Sequence, residues 1–208
     1  MAKLAFHSED SFEVIAAAGG IPAMLVAMRR HSSNFKLQQD GCLLLGKFAQ
    51  IKDCRKAIDA LRACEILVTV LHRHLEHARL QCLSCRALSK LVECKQLDVD
   101  GCEVASLIPC VVNTMEHHRV NGNVQMEACR LLLELASPQS PGMTENGDHY
   151  ATNVATNCLP AVVSAMEQNS SHADLQEIFC GLLAKLAFHA EGVSEAIAAA
   201  RGIPTILA

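Results

Sequence analysis

Cys82-Leu83-Ser84-Cys85 places two thiols three residues apart, and His72, His74 and His77 lie within ten residues upstream. Thiolates and imidazoles at that density could build a structural zinc site, provided four of them converge. A dithiol redox centre is the other chemistry such a pair allows. Both depend on where the backbone puts Cys85, and a second pattern bears on that. Cys42, Cys129 and Cys180 stand at the same place in three other segments, each four residues after a Gln, as Cys85 is after Gln81. A cysteine that recurs in register at one helical position is accounted for by packing, since a free thiol behaves as a small buried hydrophobe. The redox alternative also lacks the βαβ context that usually carries it.

The elements that position these residues repeat. Leu37-Gln38, Leu80-Gln81, Val124-Gln125 and Leu175-Gln176 open four segments, with Gln-to-Gln spacings of 43, 44 and 51. A Leu follows each Gln by seven (Leu45, Leu88, Leu132, Leu183), and a small apolar residue follows by eleven (Ala49, Val92, Ala136, Ala187). Positions 4, 7, 10 and 11 after the Gln trace one face of a helix. A period in the forties with helical spacing is the mark of a stacked helical repeat, an architecture that offers a binding surface more than a reaction centre. Each unit reads as a short helix, a break, a second helix and a longer third one. Gly19-Gly20-Ile21-Pro22 is the clearest break, echoed by Ile108-Pro109, Leu159-Pro160 and Gly202-Ile203-Pro204, with Pro in the first turn of the second helix. Ile66-Leu67 occupies that place in the second unit, without the Pro. Polar corners join the second helix to the third, and seven of the ten histidines sit in them. Two readings stand for those histidines: solvated corner residues, or a ridge that binds metal or changes charge between about pH 5 and 7.

Bulk composition agrees with an all-α class. Half of the 208 residues are hydrophobic, only seven are aromatic and none is Trp. A net charge of -4 provides no field to attract nucleic acid or an anionic membrane. Eleven cysteines, an odd number in repeat register, argue for reduced thiols and an intracellular, cytoplasmic location. No leader and no membrane-spanning run is expected. Asn169-Ser170-Ser171 matches a glycosylation acceptor but is read as chance. No phosphate loop, nucleophile elbow or HExxH pair occurs, so no catalysis, metal or cofactor is expected.

The spacing of 51 locates an insertion at 137–148, rich in Pro, Gly and polar residues and expected to be an exposed loop. Residues 3–26 align with 185–208 at 15 identities in 24, an offset of 182. The chain is therefore expected to begin and stop inside repeats, as a piece of a longer array with stacking surfaces at both ends. Homo-association through those ends is one expectation, and it supports the alternative reading of a structural or self-association module. As a single domain, 1–208 divides into approximate units 11–51, 52–95, 96–147 and 148–190, with partial repeats at 1–10 and 191–208.

Ala17-Ala18-Gly19-Gly20-Ile21-Pro22, then Leu37-Gln38, then Gly41-Cys42-Leu43-Leu44-Leu45-Gly46-Lys47-Phe48-Ala49, resembles the armadillo repeat, and the likeness extends over essentially the whole chain. The resemblance implies a right-handed superhelical solenoid of about four three-helix repeats. Its third helices would line a concave groove that holds extended peptides or partner helices. In the nuclear-import members that groove carries a Trp five residues after the Gln and an Asn nine after it. Here those positions hold Leu43, Arg86, Arg130 and Gly181, and Lys47, Lys90, Glu134 and Lys185. Neither ladder is present, so an import-receptor activity is not carried over.

Positions five and nine after the Gln lie one helical turn apart on a shared face. Lys47, Arg86, Lys90, Arg130 and Lys185 thus form a basic cluster, with Glu93 and Glu134 offsetting part of the charge. Such a face suits an acidic or phosphorylated segment of a partner protein, anchored on Leu43, Met126 and Leu133. The plain alternative is that long basic side chains solvate an exposed helix face. The expected function is a non-enzymatic protein-interaction scaffold.

Overall fold

The computed structural model describes residues 9–59, 63–93, 102–137 and 146–189. All regular structure in them is helical: α1 (Glu9–Ala17), α2 (Gly20–Arg30), α3 (Phe35–Phe48), α4 (Lys52–Asp59), α5 (Ala63–Arg73), α6 (Ala78–Glu93), α7 (Cys102–His117), α8 (Gly122–Leu135), α9 (Asn146–Gln168) and α10 (Ala173–His189). The fold divides into two compact units, Met1–Glu103 and Val104–Ala208. Most of the 137–148 insertion, residues 1–8 of the first partial repeat and all of the last one, with the end surfaces expected to associate, lie outside the described residues.

In the first unit α3 packs along α6, α2 packs on α3, α4 and α5, and α5 packs on α6. In the second unit α10 packs on α8 and α9. The helices designated third in the sequence are α3, α6, α8 and α10, and they start three residues before the Gln. Asn34 and Asn121 cap α3 and α8, their side-chain oxygens accepting from the amides of Leu37 and Val124. The Gln then falls in the first turn and faces inward, fully buried at Gln38, Gln81 and Gln125.

That burial explains why a polar residue recurs where an apolar one would pack. Each Gln Nε2 donates to two carbonyls at the end of the preceding helix, ten and seven residues back. Gln38 bonds Met28 and His31, Gln81 bonds Leu71 and His74, Gln125 bonds Met115 and His118, and Gln176 bonds Met166 and Asn169, all at 2.7–3.0 Å. The last carbonyls of a helix have no partner within it, and here the next helix supplies one. Using Nε2 for both bonds leaves Oε1 of Gln38 and Gln125 buried without a protein partner.

The expected apolar stripe is in place. Cys42, Cys85 and Cys129 are buried, as are Leu45, Leu88, Leu132 and Leu183. Only the last repeat departs, with Cys180 half-buried and Ala187 exposed. Cys85 therefore faces the core, while Cys82 is half-buried, so the two thiols point to different surroundings. Among the described residues no three His, Cys, Asp or Glu side chains converge on a metal-sized site.

The Pro-marked breaks differ between the units. Gly19 adopts φ 78°, the left-handed region, and the chain bends by 76° between α1 and α2. A Cβ on Gly20 would lie 2.6 Å from the Ile15 carbonyl oxygen, so the bend needs glycine at both positions. Pro22 then sits in the first turn of α2, as the sequence suggests. In the second unit that expectation fails: α7 runs unbroken through Pro109 and α9 through Pro160. Leu107-Ile108 and Cys158-Leu159 provide no glycine to turn the chain, and all four side chains are buried. The first and second helices are continuous there, each helix accommodating a proline ring that removes one internal hydrogen bond.

Candidate partner-binding surface

Along α3 and α6 the residues five and nine after each Gln share one face, and the close approach of the two helices sets that face. Gly46 faces Ala87: a Cβ added there would lie 3.7 Å from the Ala87 Cα, ordinary van der Waals contact. Gly41 permits similar proximity to α2, since a Cβ on it would fall 2.4 Å from the Met28 sulfur. Cys42 Sγ and Ser84 Oγ are 3.4 Å apart across the α3–α6 seam, with Ser84 donating to the Leu80 carbonyl.

Above this seam lies a cleft of about 240 Å³. Its walls are Leu43 and Lys47 from α3, Gln50 just past the end of that helix, and Leu83, Arg86 and Lys90 from α6, with Cys42, Gly46 and Ala87 completing the lining. Four sequence-predicted residues, Leu43, Lys47, Arg86 and Lys90, are thus brought together. Lys47 and Arg86 are exposed and Lys90 is a third exposed, paired with Glu93 one turn on. No acidic side chain lines the cleft itself. Burial pushes the Cys42 thiol up to about 12, so the lining carries no thiolate at neutral pH.

The second unit places its predicted residues differently. Arg130 is exposed, with a guanidinium nitrogen 3.8 Å from a Glu127 carboxylate oxygen. Lys185 donates to the Ser137 hydroxyl. Glu134 occupies the place that Lys47 and Lys90 hold in the first unit. Met126 lines a separate, open cleft with Gly122, Asn123 and residues 171–175, and Leu133 is half-buried. Glu127, Gln50 and Leu83 were not singled out from the sequence. Glu127 stands three residues before Arg130, a helical ion-pair spacing that was there to be read.

The corners are a scaffold feature. His74, only 7% exposed, donates from Nε2 to the Ser32 carbonyl at 2.7 Å, which fixes the proton on that nitrogen. Asn169 holds the same register position in the second unit and donates to the Arg119 carbonyl at 2.9 Å. A second bond to the Ala165 carbonyl leaves this amide 2% exposed, so the apparent glycosylation acceptor is sequestered in the fold. His77 packs against Phe35 with ring centroids 4.5 Å apart and planes tilted by 52°.

A comparison with protein-family profiles matches residues 21–157 to the LRRK2 ARM repeat. The chain belongs to the LRRK2 ARM repeat family. The match begins in α2 and ends within α9, so the LRRK2 ARM repeat region takes in Leu43, Lys47, Arg86, Lys90, Met126, Arg130 and Leu133, while Lys185 lies beyond it. Neither curated proteins nor solved structures give a match. ARM repeats are a scaffold-type fold with a general role in protein–protein interaction. Among the described residues of this ARM repeat chain, no single helix is long and apolar enough to cross a membrane.

Proposed function

We propose that this chain is a non-enzymatic adaptor that receives a segment of a partner protein on the surface of its third helices. In the first unit acidic groups of the partner meet Lys47, Arg86 and Lys90, with an apolar anchor near Leu43; in the second unit Arg130 and Lys185, with Met126 and Leu133, offer a lesser set of contacts of their own. The observation that carries this reading is the α3–α6 cleft, which joins three cations and two leucines without an acidic lining residue. Solvated basic side chains on a featureless helix face would not enclose a cavity. The described cysteines are free thiols, mostly buried, which supports an intracellular, cytoplasmic site of action.

Affinity capture from a cell lysate tests the proposal, comparing the native chain with Arg86→Glu/Lys90→Glu. The expected result is a set of proteins held by the native chain and lost by the variant, with both folded by circular dichroism. Capture of the same set by both overturns the assignment of the surface.

A further inference from the structure

We infer that Ser33, in the corner between α2 and α3, is a modification site: a serine kinase whose substrate groove is acidic transfers the γ-phosphoryl group of ATP to its hydroxyl. The inference is independent of the partner-binding reading, since it uses no residue of the third-helix surface.

It rests on two corners that share a backbone and differ in charge. Ser32-Ser33 stands six and five residues before Gln38, and Ser170-Ser171 stands six and five before Gln176. Both pairs lie in the same turn. The Asn34 amide closes the first by donating to the His31 carbonyl at 2.9 Å, and the His172 amide closes the second by donating to the Asn169 carbonyl at 3.0 Å. Ser33 and Ser171 are both exposed. Ahead of the first pair, in the last turn of α2, come Arg29 and Arg30; ahead of the second come Glu167 and Gln168. The other two corners hold Leu75-Glu76 and Arg119-Val120 in these positions, without a hydroxyl.

Protein kinases select a hydroxyl by the charge pattern around it, attracting the right one and repelling the wrong one. Arg29 and Arg30, four and three residues before Ser33, present two guanidinium forks to carboxylates of the enzyme. Residues 29–31 and 33–36 are exposed, so the arginines and the hydroxyl are offered along one stretch of chain. Glu167 would repel the same groove. Ser33 is the acceptor in place of its neighbour, because Ser32 is half-buried in the cleft between α2 and α5 and its carbonyl is held by His74 Nε2 at 2.7 Å.

In the transfer, Ser33 Oγ forms a bond to the γ-phosphorus of Mg-ATP and the bond from that phosphorus to the β–γ bridging oxygen breaks. ADP leaves, and the hydroxyl proton passes to the catalytic aspartate of the kinase. The phosphoserine carries about -1.5 to -2, which cancels the positive charge that Arg29 and Arg30 give this corner.

The test incubates the full chain with Mg-ATP and the catalytic subunit of such a kinase, and follows transfer by mass spectrometry with site mapping. The expected result is transfer to Ser33 about tenfold faster than to Ser171. Arg29→Gln/Arg30→Gln should slow it about tenfold. Glu167→Arg/Gln168→Arg moves the charge pattern to the other corner and should make Ser171 a substrate, with the circular dichroism of each variant unchanged. Transfer to a peptide of residues 27–37 but not to the folded chain overturns the inference. So does transfer to Ser32 in place of Ser33, an equal rate at Ser33 and Ser171, or a rate indifferent to Arg29 and Arg30.

Discussion

The two units use one anchoring device and two different surfaces. In each, a buried Gln near the start of a third helix ties down the end of the helix before it, with the same two carbonyl positions and nearly the same distances. The outward faces have diverged. Across α3 and α6, Lys47, Arg86 and Lys90 line one cleft, Lys90 pairing with Glu93 at its side, whereas in the second unit Arg130 stands beside Glu127 and Lys185 bonds Ser137. Conserving the inward geometry while varying the outward charge lets one repeat type build distinct binding sites. The first-to-second helix transition has diverged as well, bent by 76° after Gly19 in one unit and continuous through Pro109 and Pro160 in the other.

The shared device is the place to strike hardest. Gln81→Leu removes both hydrogen bonds and leaves the Leu71 carbonyl without its partner, while the His74 carbonyl keeps the His77 amide. The expected loss is about 2–3 kcal/mol, and Gln125→Leu should match it in the other unit. Chemical denaturation of each variant checks the equality. A loss in one unit alone would break the claim that the anchor is common to both.

Charge reversal separates the surfaces. Arg86→Glu/Lys90→Glu should weaken an acidic partner peptide at least tenfold, while Arg130→Glu/Lys185→Glu changes it less than threefold. Isothermal titration of both double variants reads the difference. Equal effects would mean that the cations act as one diffuse field and the cleft has no special standing.

What was legible in the sequence follows the same division. The Gln, Cys and Leu register exposed the period and the inward faces, because burial imposes the same demand on every repeat. Gly19-Gly20 marked a true bend, since a positive φ has a glycine signature. Pro109 and Pro160 misled because proline is compatible both with a first turn and, at a cost, with a helix interior; the ring alone does not say which. Lys47, Arg86 and Lys90 were recognised by spacing. The Lys185–Ser137 bond was not, because it joins residues 48 apart in sequence.

The prolines give a prediction of intermediate size. Pro160 and Pro109 are exposed, so replacing either by Ala removes little packing and restores an amide donor. Pro160→Ala and Pro109→Ala should each stabilise by about 1 kcal/mol, a fraction of the full interior-proline penalty because a helix bent by proline keeps part of its strain. Pro22→Ala, in a first turn where that amide has no helical partner, should change stability by under about 0.5 kcal/mol. Thermal melts of the three variants rank them. If Pro22→Ala stabilises as much as the others, the transitions are alike and the distinction between the units fails at that point.

The smallest effect distinguishes the surfaces without touching a charge. Gly46 in α3 and Gly181 in α10 both lie in helix interiors, where Ala is favoured over Gly by about 0.5–1 kcal/mol. Nothing stands within 4 Å of a Cβ at Gly181, and at Gly46 the nearest atom, Ala87 Cα, is at 3.7 Å. Both substitutions therefore fit, and both should raise the melting temperature by a few degrees. Only Gly46→Ala adds a methyl group to the lining of the α3–α6 cleft, so it alone should weaken an acidic partner peptide, by about twofold. A pair of stabilised proteins that differ only in peptide affinity would assign the loss to the shape of the cleft, since charge and fold are unchanged in each.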